Sequence, residues 1–83
     1  MMLAMVLVLA AAQVDAGVCA AGSAEALVGE RYRRHVPTRA KRLSGARRVR
    51  VIMPGEMVTE EFREDRLNLR VDHRRVITGV QCG

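Results

Sequence analysis

Tryptophan is absent from this chain, and phenylalanine and tyrosine occur once each, as Phe62 and Tyr32. A core must therefore be built from aliphatic side chains, and no row of rings stands ready to stack on nucleic-acid bases. Histidine is scarce as well. Neither His35 nor His73 forms part of a ligand set with metal-site spacing, so no metal and no cofactor are expected. Neither histidine has beside it the nucleophile and orienting partner that covalent catalysis needs, and no glycine-rich phosphate loop is present. Glu60 and Glu61 are neighbouring carboxylates, but adjacent residues of an extended segment point in opposite directions and cannot easily act on one bond. No catalytic residue is assigned, and the chain reads as something other than an enzyme.

At 83 residues the chain holds one domain with a small core. Domains of this size often need a staple. The two cysteines, Cys19 and Cys82, are the candidates.

Residues 1–12 are almost wholly apolar, yet fall short of the roughly 20 that a membrane-spanning helix needs. The run suits the apolar part of a secretory signal, and Val14-Asp15-Ala16 has small residues where a signal peptidase reads them. The expectation is a signal peptide over 1–16 and a mature domain over 17–83. No Lys or Arg precedes the apolar run, so the signal is atypical or starts upstream; the competing reading is a buried N-terminal helix. A lipid anchor at Cys19 is disfavoured by the bulk of Val18. Removal of Asp15 with the signal raises the net charge from +5 to +6. The product is expected to be secreted or periplasmic, monomeric and free of membrane. Export favours a Cys19–Cys82 disulfide over the alternatives, two free thiols or half a metal site. Closing a loop that long is worth about 4 kcal/mol in the chain-entropy model.

Along the mature segment, Ser23 can cap a short turn that stops near Gly29. Pro37 belongs in the first turn of a helix rather than its interior, which starts the main helix at Val36 or Pro37 and ends it at Ser44-Gly45. Val36, Ala40 and Leu43 then form one apolar stripe. Residues 48–53 alternate, with Val49, Val51 and Met53 on one face, and Leu67, Leu69 and Val71 alternate with Arg66, Asn68 and Arg70. Pro54-Gly55 marks a turn between these two strands, and residues 56–65 carry five carboxylates against one base, Arg63. So acidic a loop should stand in solvent. Residues 73–75 make a turn, and 76–82 read as a last strand in which Gly79 indicates a bulge or a close backbone approach.

Residues 31–50 carry nine basic side chains and no acidic one. Such a run fits either a nucleic-acid patch or the solvated face of a basic protein. The second is preferred, since no aromatic interleaves with it and 13 of the 14 bases are Arg, a leaning that also fits genomic coding bias. No nucleic-acid partner is expected.

The string Arg-Val-Arg-Val-Ile-Met-Pro-Gly at 48–55, the string Val-Thr-Glu-Glu-Phe-Arg-Glu-Asp-Arg-Leu-Asn-Leu-Arg-Val-Asp at 58–72, Ile77 and the closing Cys82-Gly83 resemble peptidase inhibitors of the potato inhibitor I-like type. They are more closely similar to the small bacterial and fungal secreted inhibitors that end in Cys-Gly and carry one disulfide.

The resemblance implies an α+β wedge in which one helix packs on a small mixed sheet and an exposed loop joins two parallel strands. It implies that this loop, Met57, Val58, Thr59, Glu60, Glu61, Phe62 and Arg63, enters a serine endopeptidase like a substrate, with the scissile bond between Glu60 and Glu61. It also implies loop support from Arg66, pairing with Glu61 or with the Thr59 hydroxyl, and from Asn68, which stands where plant relatives carry a second Arg. The implied partner is a subtilisin-like or chymotrypsin-like enzyme. Relatives carry an apolar residue at the position of Glu60, so a Glu-preferring enzyme is the variant target. The alternatives are a secreted binding or structural module on the same scaffold without inhibition, and a basic nucleic-acid-binding domain.

Overall fold

Pro37 sets where the helical layer begins. A computed structural model of the chain describes residues 17–58 and 61–83, so the expected signal segment, Thr59 and Glu60 lie outside the described residues. The helix α1 spans Val36–Ser44 with Pro37 in its first turn, where a missing N–H costs nothing. It ends at Gly45, whose φ of 74° is a left-handed conformation that glycine adopts without strain, and whose N–H donates to the Lys41 carbonyl at 2.8 Å. Val36 and Ala40 are buried and Leu43 is half-buried, as the stripe predicts. Ser44 is buried too: its hydroxyl donates to the Ala40 carbonyl and accepts from the Ala46 N–H, which satisfies it within the helix end.

Ahead of α1, a 3₁₀ helix covers Ala21–Leu27 and buries Ala24 and Leu27. Ser23 lies inside it rather than capping it, because the turn begins three residues earlier than a Ser23 cap implies and Ala20 holds the cap position without a side-chain bond. Gly29 follows with φ 91° and donates its N–H to the Ile77 carbonyl at 2.8 Å. The fold therefore has two helical elements where the sequence predicts a turn and a helix.

Three strands form one sheet in the order β1 (Arg48–Ile52), β2 (Arg66–Val71) and β3 (Ile77–Cys82). β1 and β2 are parallel, with Val49 opposite Leu67 and Val51 opposite Leu69; β2 and β3 are antiparallel. Leu67, Leu69, Val71 and Ile77 join Ala24, Leu27, Val36, Ala40 and Ala46 in the core, so the helices cover one face of the sheet. In the β2–β3 pairing Arg70 faces Gly79 and Val71 faces Ile77, which leaves Thr78 as the extra residue of a bulge. The turn between these strands is held by the Asp72 carboxylate, which accepts from the N–H groups of Arg74 and Val76, both at 2.9 Å.

Cys19 and Cys82 are joined in a disulfide that ties the start of the described chain to the end of β3. The N-terminal segment is also held by backbone bonds, from the Cys19 N–H to the Glu64 carbonyl and from the Ala20 N–H to the Ser44 carbonyl. The result is a small α+β fold with a three-stranded mixed sheet.

Candidate functional site

Parallel strands cannot be joined by a tight turn, because the chain must return to the end at which the first strand began. Here the return is made by residues 53–65 with neither helix nor strand in the described part. It opens with a turn at Pro54 and Gly55, where Gly55 has φ 79° and the Glu56 N–H donates to the Met53 carbonyl at 3.1 Å. Beyond that turn the apolar side chains face solvent: Met57 is 91% exposed, Phe62 69% and Val58 41%. A small domain that exposes such groups side by side on an open loop presents a contact surface.

The loop is held from the sheet face opposite the helices. Alternation puts Arg48, Arg50, Arg66, Asn68 and Arg70 on that face, with Arg48 beside Arg66 and Arg50 beside Asn68 in the parallel register. Arg66 is the centre of the support. Its Nη2 donates to the Glu61 carbonyl oxygen at 2.6 Å and its Nε donates to a Gly83 oxygen at 2.8 Å. Charge-assisted bonds of this kind are roughly twice as strong as neutral ones. The resemblance implies that Arg66 pairs with Glu61 or with the Thr59 hydroxyl. Arg66 meets Glu61 at its carbonyl oxygen, while the Glu61 carboxylate turns to Arg63, whose Nη2 and Nε lie at 2.8 and 3.1 Å. Thr59 is outside the described residues.

Gly83 is a support that sequence reasoning does not assign. Its N–H donates to the Arg66 carbonyl at 3.0 Å, and its oxygen accepts from the Arg63 N–H at 3.2 Å as well as from Arg66 Nε. The Phe62 ring lies against it so closely that a Cβ at Gly83 would meet ring carbons at 3.1 and 3.2 Å. The Cys19–Cys82 disulfide anchors the residue immediately before this junction.

Arg50 is the second unassigned support: its Nη2 lies 3.5 Å from the Met57 carbonyl oxygen. Asn68, which the resemblance implies as a loop support, is only 9% exposed, and its Oδ1 has no hydrogen-bond partner among the described residues. It sits in a cleft of about 200 Å³ beneath the loop, lined also by Val58, Phe62, Gln81 and Gly83. Ile52, on the same face as Asn68, is buried as well. The charge pattern is complementary: arginines project from the sheet face under a loop rich in carboxylates, and Arg48 pairs with Asp65 at 3.7 Å. Among the described residues no group of His, Cys, Asp and Glu is arranged to hold a metal ion. No helix among the described residues is long and apolar enough to cross a membrane.

The loop is thus exposed, carried by bonds from Arg50 and Arg66 to its backbone, and adjoined at Gly83 by the disulfide. The chain belongs to the peptidase inhibitor I78 family, whose family model matches residues 19–83. It is therefore a peptidase inhibitor and not an enzyme. Among solved structures it is similar to the elastase inhibitor AFUEI, with 28% sequence identity and a TM-score of 0.54 over 69% of this chain and 78% of that one. No curated protein matches the chain.

Proposed function

We propose that the protein inhibits a serine endopeptidase by offering residues 56–63 as a substrate-like loop, with Glu60–Glu61 as the scissile bond. The observation that carries this reading is the Arg66 bond to the Glu61 carbonyl, on the residue that would follow the cut. A protease that cleaves such a loop releases neither half if the scaffold holds both, so the bond can reform and the complex persists. Gly83 and the disulfide beneath it hold the C-terminal half through Arg63, Phe62 and Arg66. Pre-ordering of the loop also lowers the entropy lost on binding. Met57, Val58 and Phe62 supply the apolar contacts that flank the reacting bond.

The likeness to an elastase inhibitor makes an elastase the first target to try, and the potato inhibitor I-like type of loop is the finer class in which we place the mechanism. Residues 1–16 act as a signal peptide in this reading, and the disulfide fits an extracellular or periplasmic destination. The test is residual activity of elastase, subtilisin, chymotrypsin, trypsin and a Glu-specific endopeptidase after mixing with the oxidised mature protein. Stoichiometric inhibition of at least one is expected. Rapid digestion of the loop by all of them, with no inhibition, would overturn the proposal and leave a binding module on an inhibitor scaffold.

A further inference from the structure

We propose that Arg50 is a positioning residue for the limb of the loop that precedes the scissile bond, holding the Met57 carbonyl from β1 while Arg66 holds the Glu61 carbonyl from β2. The inference rests on the loop reading given above and adds to it a residue on a different strand.

Geometry supports it in three ways. Arg50 stands two residues before the end of β1, on the face away from the helices, and the chain passes the Pro54-Gly55 turn before Met57 comes within 3.5 Å of Nη2. The contact therefore fixes how the chain doubles back over the strand it has just left. Met57 also has its carbonyl directed at the sheet and its side chain 91% exposed, so a bond at that carbonyl sets the outward direction of the side chain. Finally, the neighbouring position on β2 carries a shorter side chain. Asn68 lies beside Arg50 in the parallel register and is buried beneath the loop, whereas Arg50 reaches the Met57 carbonyl from β1. The two limbs are thus carried by two arginines from two strands, Arg50 before the cut and Arg66 after it. A guanidinium suits the task because it can stretch across the strand spacing and still direct a charged donor at a carbonyl.

The experiment is ¹⁵N relaxation on the free, oxidised protein, comparing wild type with Arg50→Ala, Arg50→Lys and Arg70→Ala. This readout needs no protease, so it decides the role of Arg50 even if the inhibitory reading fails in the enzyme panel. In Arg50→Ala the order parameters of Met57 and Val58 are expected to fall from the rigid range near about 0.85 to below about 0.6, with Leu67 and Leu69 unchanged. Arg50→Lys, which keeps a charged donor, is expected to restore part of the order. Arg70→Ala, an exposed change on the same face, is expected to leave Met57 and Val58 as they are. Unchanged order in Arg50→Ala, an equal loss through the core strands, or an equal loss at Met57 in Arg70→Ala would each overturn the assignment. If the panel identifies a target, Arg50→Ala should weaken its inhibition about tenfold.

Discussion

Arg66 and Glu61 meet through the backbone: the guanidinium donates to the Glu61 carbonyl at 2.6 Å, while the Glu61 carboxylate is occupied by Arg63. The support thus depends on where the chain runs and not on which side chain Glu61 carries. The exposed Arg63–Glu61 pair adds little stability by itself, since solvent screens it.

Arg66→Ala removes two charge-assisted bonds at once, to Glu61 and to Gly83. Inhibition is expected to weaken by about tenfold or more, with faster cleavage of the loop by the target. Arg66→Lys recovers little, because an ammonium cannot span both oxygens in the manner of the fork. A titration of enzyme activity with each variant measures this; equal potency of Arg66→Ala and wild type would remove Arg66 from the mechanism.

Gly83→Ala places a Cβ against the Phe62 ring in a backbone with φ 141°, where L side chains are strained. The expected cost is about 1–3 kcal/mol, concentrated at the junction of loop and β3. Denaturant unfolding gives the stability, and the ring resonances of Phe62 report the displacement. No change in either would mean that the ring and the glycine are not held together in solution.

Paired replacement of Cys19 and Cys82 by Ser opens a closure of 63 residues. A loss of about 4 kcal/mol is expected, a large part of the stability of so small a domain. The midpoint of urea unfolding, measured against the oxidised wild type, checks it. Because Cys82 adjoins Gly83, loop susceptibility to proteolysis is expected to rise along with the fall in stability.

How much of this was legible in the residues differs by kind of contact. Pro37 and Gly45 bracket α1 because each acts on its own backbone, and the period-two alternation of β1 and β2 reads directly as strands. The bulge at Thr78 lies next to Gly79, the residue that marks an irregularity in the last strand. Arg50 and Gly83 were not legible. Their partners lie on other strands, and register is a property of the assembled sheet rather than of any local string. The burial of Asn68 depends on how the loop lies over the sheet, which the alternation of β2 does not specify. That Arg66 meets Glu61 at the carbonyl was not legible, because every residue has a carbonyl and a backbone acceptor leaves no mark in the sequence.

Glu60 is acidic where the resemblance implies an apolar residue, and its carboxylate would lose solvation in an apolar protease pocket. Glu60→Met is expected to strengthen binding to subtilisin or elastase by an order of magnitude or more, on the order of 1–3 kcal/mol. A Glu-specific enzyme should respond in the opposite sense. Inhibition constants for both enzymes with both proteins provide the check, and indifference of both to the change would argue that residue 60 does not face the pocket.

The most direct measurement is the mass of the inhibitor after long incubation with a protease that it inhibits, read with and without reduction of the disulfide. Substrate-like inhibition predicts a single cut, between Glu60 and Glu61, appearing slowly while the enzyme stays blocked. Cutting at another bond, or inhibition that persists with no contact between enzyme and loop, would contradict it.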